Sequence, residues 1–306
     1  MQKNFLHVSD LNKAEFEEIM QNAKSIKAKF KNNEIFSPLS NKSMAMIFAK
    51  PSARTRISFE TGFYRLGGHA LFLGPNDIGI GKRESVSDIA RVLSRFNDII
   101  MARLFDHSHI LELAKYAEVP VINGLTDFNH PCQIVADIFT IIEKKGKTDG
   151  IKISYIGDGN NIVHSWLELS MVIPLNLTII CPESFKPNMD LFKKAQSKGL
   201  SNIEITHDPF LGIKGSDVVY TDVWASMGQK NEAGERKEIF KDFQVNSSLM
   251  KRANPDAIFM HCLPAERGVE VTGKVCDSTN SVIFDQAENR MHAQNAIILK
   301  MMDIPL

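Results

Sequence analysis

The segment Ser43-Met44-Ala45-Met46-Ile47-Phe48-Ala49-Lys50-Pro51-Ser52-Ala53-Arg54-Thr55-Arg56 sets an apolar run against a polar, proline-broken one. A short apolar run bounded by a proline reads as a strand buried on both faces. Pro51 stops it, and Thr55–Leu66 then reads as a helix, followed by a second strand at His69–Leu73. Strand, helix, strand is the unit from which parallel sheets are built, because parallel neighbours need a crossover.

Working outward, the same rhythm continues. Further strands are expected at Asp98–Ala102 and Val119–Ile122, with helices at Ser85–Arg95 and Ile110–Tyr116. Ser85 with Asp88 resembles a capping box. Upstream, Ser9 or Asp10 can cap a first helix whose apolar stripe is Phe16, Ile19, Met20, Ala23 and Ile26. A helix at Pro131–Lys144 runs into Lys144-Lys145-Gly146-Lys147-Thr148-Asp149-Gly150, the best domain join. Beyond it, strands are expected at Lys152–Ile156, Leu177–Cys181, Ile203–Thr206, Asp217–Thr221, Ala257–Met260 and Val282–Phe284. Helices fill Ile162–Val172, Met189–Ser197 and Ala287–Met301. The fold class is α/β: two doubly wound domains, 1–146 and 147–286, each with a parallel sheet covered on both faces.

Bulk properties agree with this and exclude other classes. A chain of 306 residues suits two domains of roughly 150 each. Lys plus Arg and Asp plus Glu both number 36, so bulk attraction to nucleic acid or an anionic membrane is not expected. Four cysteines, Cys132, Cys181, Cys262 and Cys276, form no close pair, which argues against a disulfide framework or structural zinc. The start Met1-Gln2-Lys3-Asn4-Phe5 leads into polar sequence without an apolar signal core, and no run approaches the roughly 18 apolar residues of a membrane helix. A soluble, cytoplasmic protein without metal or cofactor is expected.

In doubly wound sheets ligands bind beyond the carboxyl ends of the strands, and the polar clusters sit there. Residues Ser52–Arg56 should open a helix, where free N–H groups and the helix dipole hold an anion. Ser52 and Thr55 add hydroxyls on one face and Arg54 a guanidinium fork; a capped helix with surface arginines is the plainer alternative. Arg56 can pair with Glu60 one turn later. His130-Pro131-Cys132-Gln133 is either a carbonyl-polarising histidine with Gln133 one turn on, or a structural cap. Arg103 ends a strand, where an arginine is usually just solvated. Gly157-Asp158-Gly159-Asn160-Asn161 begins like a dinucleotide fingerprint, but its third glycine is replaced by Ile162. Two adjacent asparagines suit a small polar ligand better. Asp222-Val223-Trp224-Ala225-Ser226-Met227-Gly228 offers a carboxylate for a ligand ammonium, or a capped turn. His261-Cys262-Leu263-Pro264 carries a thiol that is a nucleophile, a metal ligand or a packing residue. Arg290 opens the closing helix.

One at a time these are weak. As an ordered set, Ser52–Arg56, His130–Gln133, Asp222–Gly228 and His261–Gly268 resemble the transcarbamylase family over nearly the whole chain, and its ornithine branch in particular. The resemblance implies transfer of a carbamoyl group from carbamoyl phosphate to the side-chain amine of L-ornithine, giving citrulline and phosphate for arginine biosynthesis. It implies that Ser52, Ala53 through its backbone, Arg54 and Thr55 hold the phosphate. Arg103, His130 and Gln133 would orient and polarise the carbamoyl group, with Arg290 and the backbone of Cys262 and Leu263 also in contact. Arg103, His130 and Cys262 are the implied catalytic residues. Asn161, Asp222, Ser226 and Met227 would grip ornithine. The last helix, 287–306, would return to the first domain, and a homotrimer with sites between subunits is implied. Two departures stand out: Ala53 replaces a frequent threonine, and Gly79 stands where relatives often carry a glutamine reaching a neighbouring subunit, a contact Lys82 or Arg83 could replace. The rival readings are a sister enzyme with another amine, a dinucleotide-dependent dehydrogenase and a non-catalytic binding protein.

Overall fold

In a computed structural model the described residues are 4–81, 83–225 and 233–306. They form two compact units, Met1–Phe139 with Glu288–Leu306, and Thr140–Ala287. The first unit is built on β1 (Ser43–Phe48), β2 (His69–Leu73), β3 (Ile99–Arg103) and β4 (Val121–Leu125). These lie in the order β2-β1-β3-β4, every pair parallel. Met44–Phe48 is fully buried, as its uninterrupted apolar sequence requires of a central strand. Helices α1 (Lys13–Lys31), α2 (Ala53–Arg65), α3 (Val86–Phe96), α4 (His107–Tyr116) and α5 (Pro131–Lys145) complete the crossovers.

Local capping differs from the sequence expectation at α1. Its N-cap is Asn12, in a reciprocal box with Glu15 at 3.0 Å in each direction. Ser9 and Asp10 instead sit in a preceding 3₁₀ turn, where the Asp10 carboxylate accepts the N–H groups of Leu6 and His7. The expected stripe from Phe16 to Ile26 is the buried face of α1. Ser85 caps α3 by accepting from the Asp88 N–H at 3.1 Å.

The second unit carries β5 (Lys152–Ile156), β6 (Asn176–Ile180), β7 (Asn202–Thr206), β8 (Val218–Thr221) and β9 (Ile258–His261), all parallel in the order β7-β6-β5-β8-β9. Around them are α6 (Asn161–Leu169), α7 (Met189–Ser197), α8 (Ala233–Phe240) and α9 (Ile283–Met301). The strand expected at Val282–Phe284 is not one. Ser281 makes a single bridge to Phe259, and the chain then turns straight into α9, with Gln286 N–H already bonded to the Val282 carbonyl. β-branched, apolar side chains at a helix start and in a buried strand look alike over three residues.

The units also divide earlier than the join read at Lys144–Gly150: inside α5 at Phe139/Thr140 and inside α9 at Ala287/Glu288. The last turn of α5 belongs to the second unit because Lys144 pairs with Asp285 at 3.0 Å and Lys145 with the Asp256 carboxylate at 3.0 Å. From Glu288 onward α9 lies on the first unit, fastened by the buried Lys27 ammonium donating to Asn289 at 2.7 Å. No helix among the described residues is long and apolar enough to cross a membrane.

Each sheet has one place where the chain leaves a central strand in opposite directions, and there the crossovers part to leave a crevice. In the first unit it lies at the ends of β1 and β3, in the second at the ends of β5 and β8.

Candidate functional site

The first crevice gathers cations around one hydroxyl. Proline ends β1, and Ser52, in extended conformation, caps α2 with its Oγ accepting the Thr55 N–H at 3.4 Å. Thr55 on the first turn is fully buried. Its Oγ1 accepts from Arg103 Nη1 at 3.2 Å, from the end of β3, and from Arg290 Nη2 at 2.9 Å, on α9. With both lone pairs taken, the Thr55 O–H is left to donate. Arg54, half-buried beside the free end of α2, makes no hydrogen bond or ion pair among the described residues. Ala53, exposed, contributes its backbone alone to this helix start. Arg56 takes the plainer role, bonding Glu60 at 2.9 Å and stacking on Phe72 at 4.0 Å.

His130 opens α5 in the same environment. Burial first, then the charges of Arg290, Arg103 and Lys50, hold its imidazole well below the ordinary histidine range. It is therefore neutral at physiological pH and keeps one ring N–H to donate. Gln133, one turn on, is fully buried and donates to the Asp137 carboxylate at 2.8 Å. Cys132 points inward, its thiol donating to the Asn123 carbonyl at 3.4 Å and pushed up to about 12 by burial. It is a packing residue.

Lys50 was not singled out by the sequence reading. It is buried, its ammonium 4.6 Å from the centre of the Phe105 ring, and burial followed by the Arg103 charge lowers it to about 8. Its place at the end of β1 was the available signal.

The second crevice is built around Asp222, immediately after β8. Its carboxylate accepts from Cys262 Sγ and from Asn160 Nδ2, both at 3.0 Å, and from the Val223 N–H at 2.8 Å. Asn160 was passed over in favour of its neighbour; it is also the N-cap of α6. Asn161 is the first residue of that helix and half-buried. Cys262 is half-buried at the end of β9, next to Leu263, whose φ is 58° and whose N–H donates to His261 Nδ1 at 2.9 Å. Asp222, His261 and Cys262 offer three metal-type donor atoms within 4.8 Å. Yet His261 uses Nδ1 to accept from Leu263 and sets Nε2 against the buried Glu270 at 3.0 Å, so the trio reads as polar packing. Arg236, on α8 and also unforeseen, bonds Asp158 at 2.7 Å and the Trp224 carbonyl at 2.8 Å, tying the segment after β8 to the glycine loop. Gly159 in that loop is required by packing: a side chain there would run into the backbone of Lys186 and Pro187. This explains the partial fingerprint without a dinucleotide. Ser226, Met227 and Lys82 lie outside the described residues. Gly79 has φ 52°, left-handed, which accounts for glycine there, and Arg83 is exposed.

Two crevices, one cationic at a helix start and one anionic among small polar groups, are a division met in carbamoyl-transferring enzymes. The carbamoyl-phosphate-binding domain model of the aspartate/ornithine carbamoyltransferases matches residues 3–143, and their Asp/Orn-binding domain model matches 149–301. The chain belongs to the aspartate/ornithine carbamoyltransferase family. Among its relatives, the chloroplastic ornithine carbamoyltransferase of Pisum sativum is 58% identical over 301 residues, 98% of this chain and 80% of that protein. The ornithine carbamoyltransferase of Thermococcus kodakarensis is 51% identical over 303 residues, 98% of this chain and 96% of that one. The solved ornithine carbamoyltransferase of Pyrococcus furiosus superposes with a TM-score of 0.94 at 48% identity, covering all of this chain and 98% of its own.

Proposed function

We infer that the chain is an ornithine carbamoyltransferase, moving the carbamoyl group of carbamoyl phosphate to the side-chain amine of L-ornithine with release of citrulline and phosphate. The observation that carries this is the Thr55 hydroxyl held by two buried guanidinium groups, Arg103 and Arg290, at a helix start beside a neutral His130. Phosphate rests on the first turn of α2, taking Ser52, the Ala53 and Thr55 backbone and Arg54. Arg103, His130 and the Thr55 hydroxyl surround the carbonyl oxygen, where negative charge grows as the amine attacks; one such donor is worth roughly 3 kcal/mol. Gln133 orients the carbamoyl amide, fixed in turn by Asp137. The leaving phosphate needs no proton from the protein while Arg54 and Arg290 balance its charge.

On the second unit Asp222 takes the α-ammonium of ornithine, with Asn161, Ser226 and Met227 completing the grip and Asn160 holding the carboxylate in register. The amine that attacks has a pKa of roughly 10.4 in water and reacts only when deprotonated. Cys262, already donating to Asp222, either receives that proton or positions the amine. The names of the relatives, one of them an anabolic ornithine carbamoyltransferase of Pyrococcus furiosus, support a place in arginine biosynthesis. A cytoplasmic homotrimer is part of the same proposal.

The test is incubation with carbamoyl phosphate and a panel of amines: ornithine, putrescine, N-acetylornithine and aspartate. Phosphate release with citrulline formed from ornithine alone is expected. Product from another amine, or none from any, overturns the reading.

A further inference from the structure

The turn that carries His130 is held by a side-chain circuit that none of the roles above uses. Asn4 and Phe5 lie along β4: Phe5 N–H donates to the Val121 carbonyl and Asn123 N–H to the Phe5 carbonyl, each at 2.9 Å. This brings His7 against His107, at the start of α4, and against the turn Thr126–Asn129. Phe128 packs its ring on both imidazoles.

The proton positions follow from the partners. Asn129 Nδ2 donates to the Leu6 carbonyl at 3.1 Å, which fixes which end of the amide is nitrogen. The same nitrogen lies 3.0 Å from His7 Nδ1, so that Nδ1 accepts, and the proton of neutral His7 sits on Nε2. His7 Nε2 lies 3.3 Å from His107 Nε2, which therefore accepts and leaves the His107 proton on Nδ1. Nδ1 of His107 donates to Thr126 Oγ1 at 2.8 Å. That hydroxyl, which also receives the Asn129 N–H, donates to Asn129 Oδ1 at 3.3 Å and closes the circuit.

We propose that His7 and His107 are positioning residues for the carbamoyl-phosphate site, closing with Thr126 and Asn129 a one-directional ring of hydrogen bonds that sets the stance of His130. Its kinetic readout rests on the proposed activity; its proton order does not. One arrangement of protons satisfies all of these contacts together. An additional proton on either imidazole sets a donor against a donor at His7 Nδ1 or His107 Nε2 and opens the ring. The charged and titratable groups about it are Asp10, bonded to the His7 N–H, Asp106 at the cap of α4 with His109 beside it, and Asp127, His130 and Lys50 around the turn. Protonation of either imidazole therefore opens the ring.

The decisive variant is Thr126→Val, which keeps the shape of a fully buried side chain and removes the hydroxyl, with Thr126→Ser as the conservative control. Imidazole ¹⁵N spectra of the full chain at pH 8 should show His7 protonated at Nε2 alone and His107 at Nδ1 alone. Thr126→Val should raise KM for carbamoyl phosphate roughly five- to tenfold, the loss of about one hydrogen bond. KM for ornithine should stay within twofold, and Thr126→Ser should match the parent. Lowering the pH should narrow the ratio of the Thr126→Val to the parent KM for carbamoyl phosphate, since the Lys50 titration acts on both proteins alike. The opposite tautomer at either histidine, a Thr126→Val enzyme indistinguishable from Thr126→Ser, or an equal rise in both KM values overturns the proposal. Should no amine be carbamoylated, the activity assignment fails while the spectra still decide the ring.

Discussion

Replacing Lys50 by methionine should make the empty protein more stable and the ligand weaker. Lys50 falls from 10.5 to about 8, chiefly by burial and then by the Arg103 charge. At 1.36 kcal/mol per pH unit this corresponds to roughly 3 kcal/mol by which the folded state disfavours the charged lysine. Methionine keeps the length and fills the same space. It loses the contact of the ammonium with the Phe105 ring, 4.6 Å away, a loss of about 0.5–1 kcal/mol. A net gain near 2 kcal/mol is therefore expected at pH 7. The sign with pH is fixed. Below pH 8 folded and unfolded chains both carry the proton, and the penalty is complete. As pH rises from about 8 toward 10.5 the unfolded chain holds more protons, so the parent gains stability and the two proteins converge. Urea unfolding at pH 7 and at pH 10 measures this. Phosphate affinity, by calorimetry at pH 7, should fall roughly ten- to a hundredfold, the range for a charge-assisted bond of about 1.5–3 kcal/mol. A Lys50→Met protein that is less stable at pH 7, or that binds phosphate as tightly as the parent, refutes the reasoning.

Thr55→Val should strip two buried guanidinium groups of their shared acceptor, destabilising by roughly 2 kcal/mol or more and raising KM for carbamoyl phosphate at least tenfold. Thr55→Ser should restore both, in urea unfolding and steady-state assays. His130 is held far below its unfolded value of about 6.5, so stability should decline as pH falls below 6.5 while the unfolded chain gains a proton the folded one refuses. His130→Asn should flatten that slope, by up to roughly 1.4 kcal/mol per pH unit, in unfolding curves between pH 5 and 7. Iodoacetamide at pH 8 should modify half-buried Cys262 first, while buried Cys132 and Cys181, both pushed up to about 12, stay unmodified by peptide mass analysis. Labelling of Cys132 at the same rate would contradict its packing role.

The strands were legible because a parallel sheet buried on both faces leaves continuous apolar runs, and turn residues bracket each one; β2 and β5 fall at the expected residues. Val282–Phe284 misled because three apolar residues carry no period, and their fate is settled by the bonds of Asn280 and Val282 to Phe259. The cap of α1 misled because three polar candidates stand within four residues, and only the reciprocal bonds of Asn12 and Glu15 choose among them. In the first crevice Thr55, Arg103 and Arg290 lie 48 and 235 residues apart in their pairings, so the order of motifs could suggest them but only the fold joins them. Lys50 and Asn160 were missed because side-chain direction at the end of a strand is not written in composition: Lys50 sits between Ala49 and Pro51, and Asn160 and Asn161 are the same residue type.

The same cations that make the first crevice fit for an anion make it costly when empty. Lys50 is driven toward neutrality and His130 is held neutral by an overlapping set of charges, Arg103 with Arg290 and Lys50. The arginines cannot lose their protons, so the strain falls on the two groups that can. A bound dianion reverses the field for both. Lys50, titrating near 8, then becomes fully charged at physiological pH and adds its bond. His130, depressed chiefly by burial, which the ligand only deepens, stays neutral and keeps an N–H to donate. One electrostatic arrangement thus separates a residue that recruits charge on binding from one that must not, and the separation follows from depth in the unit.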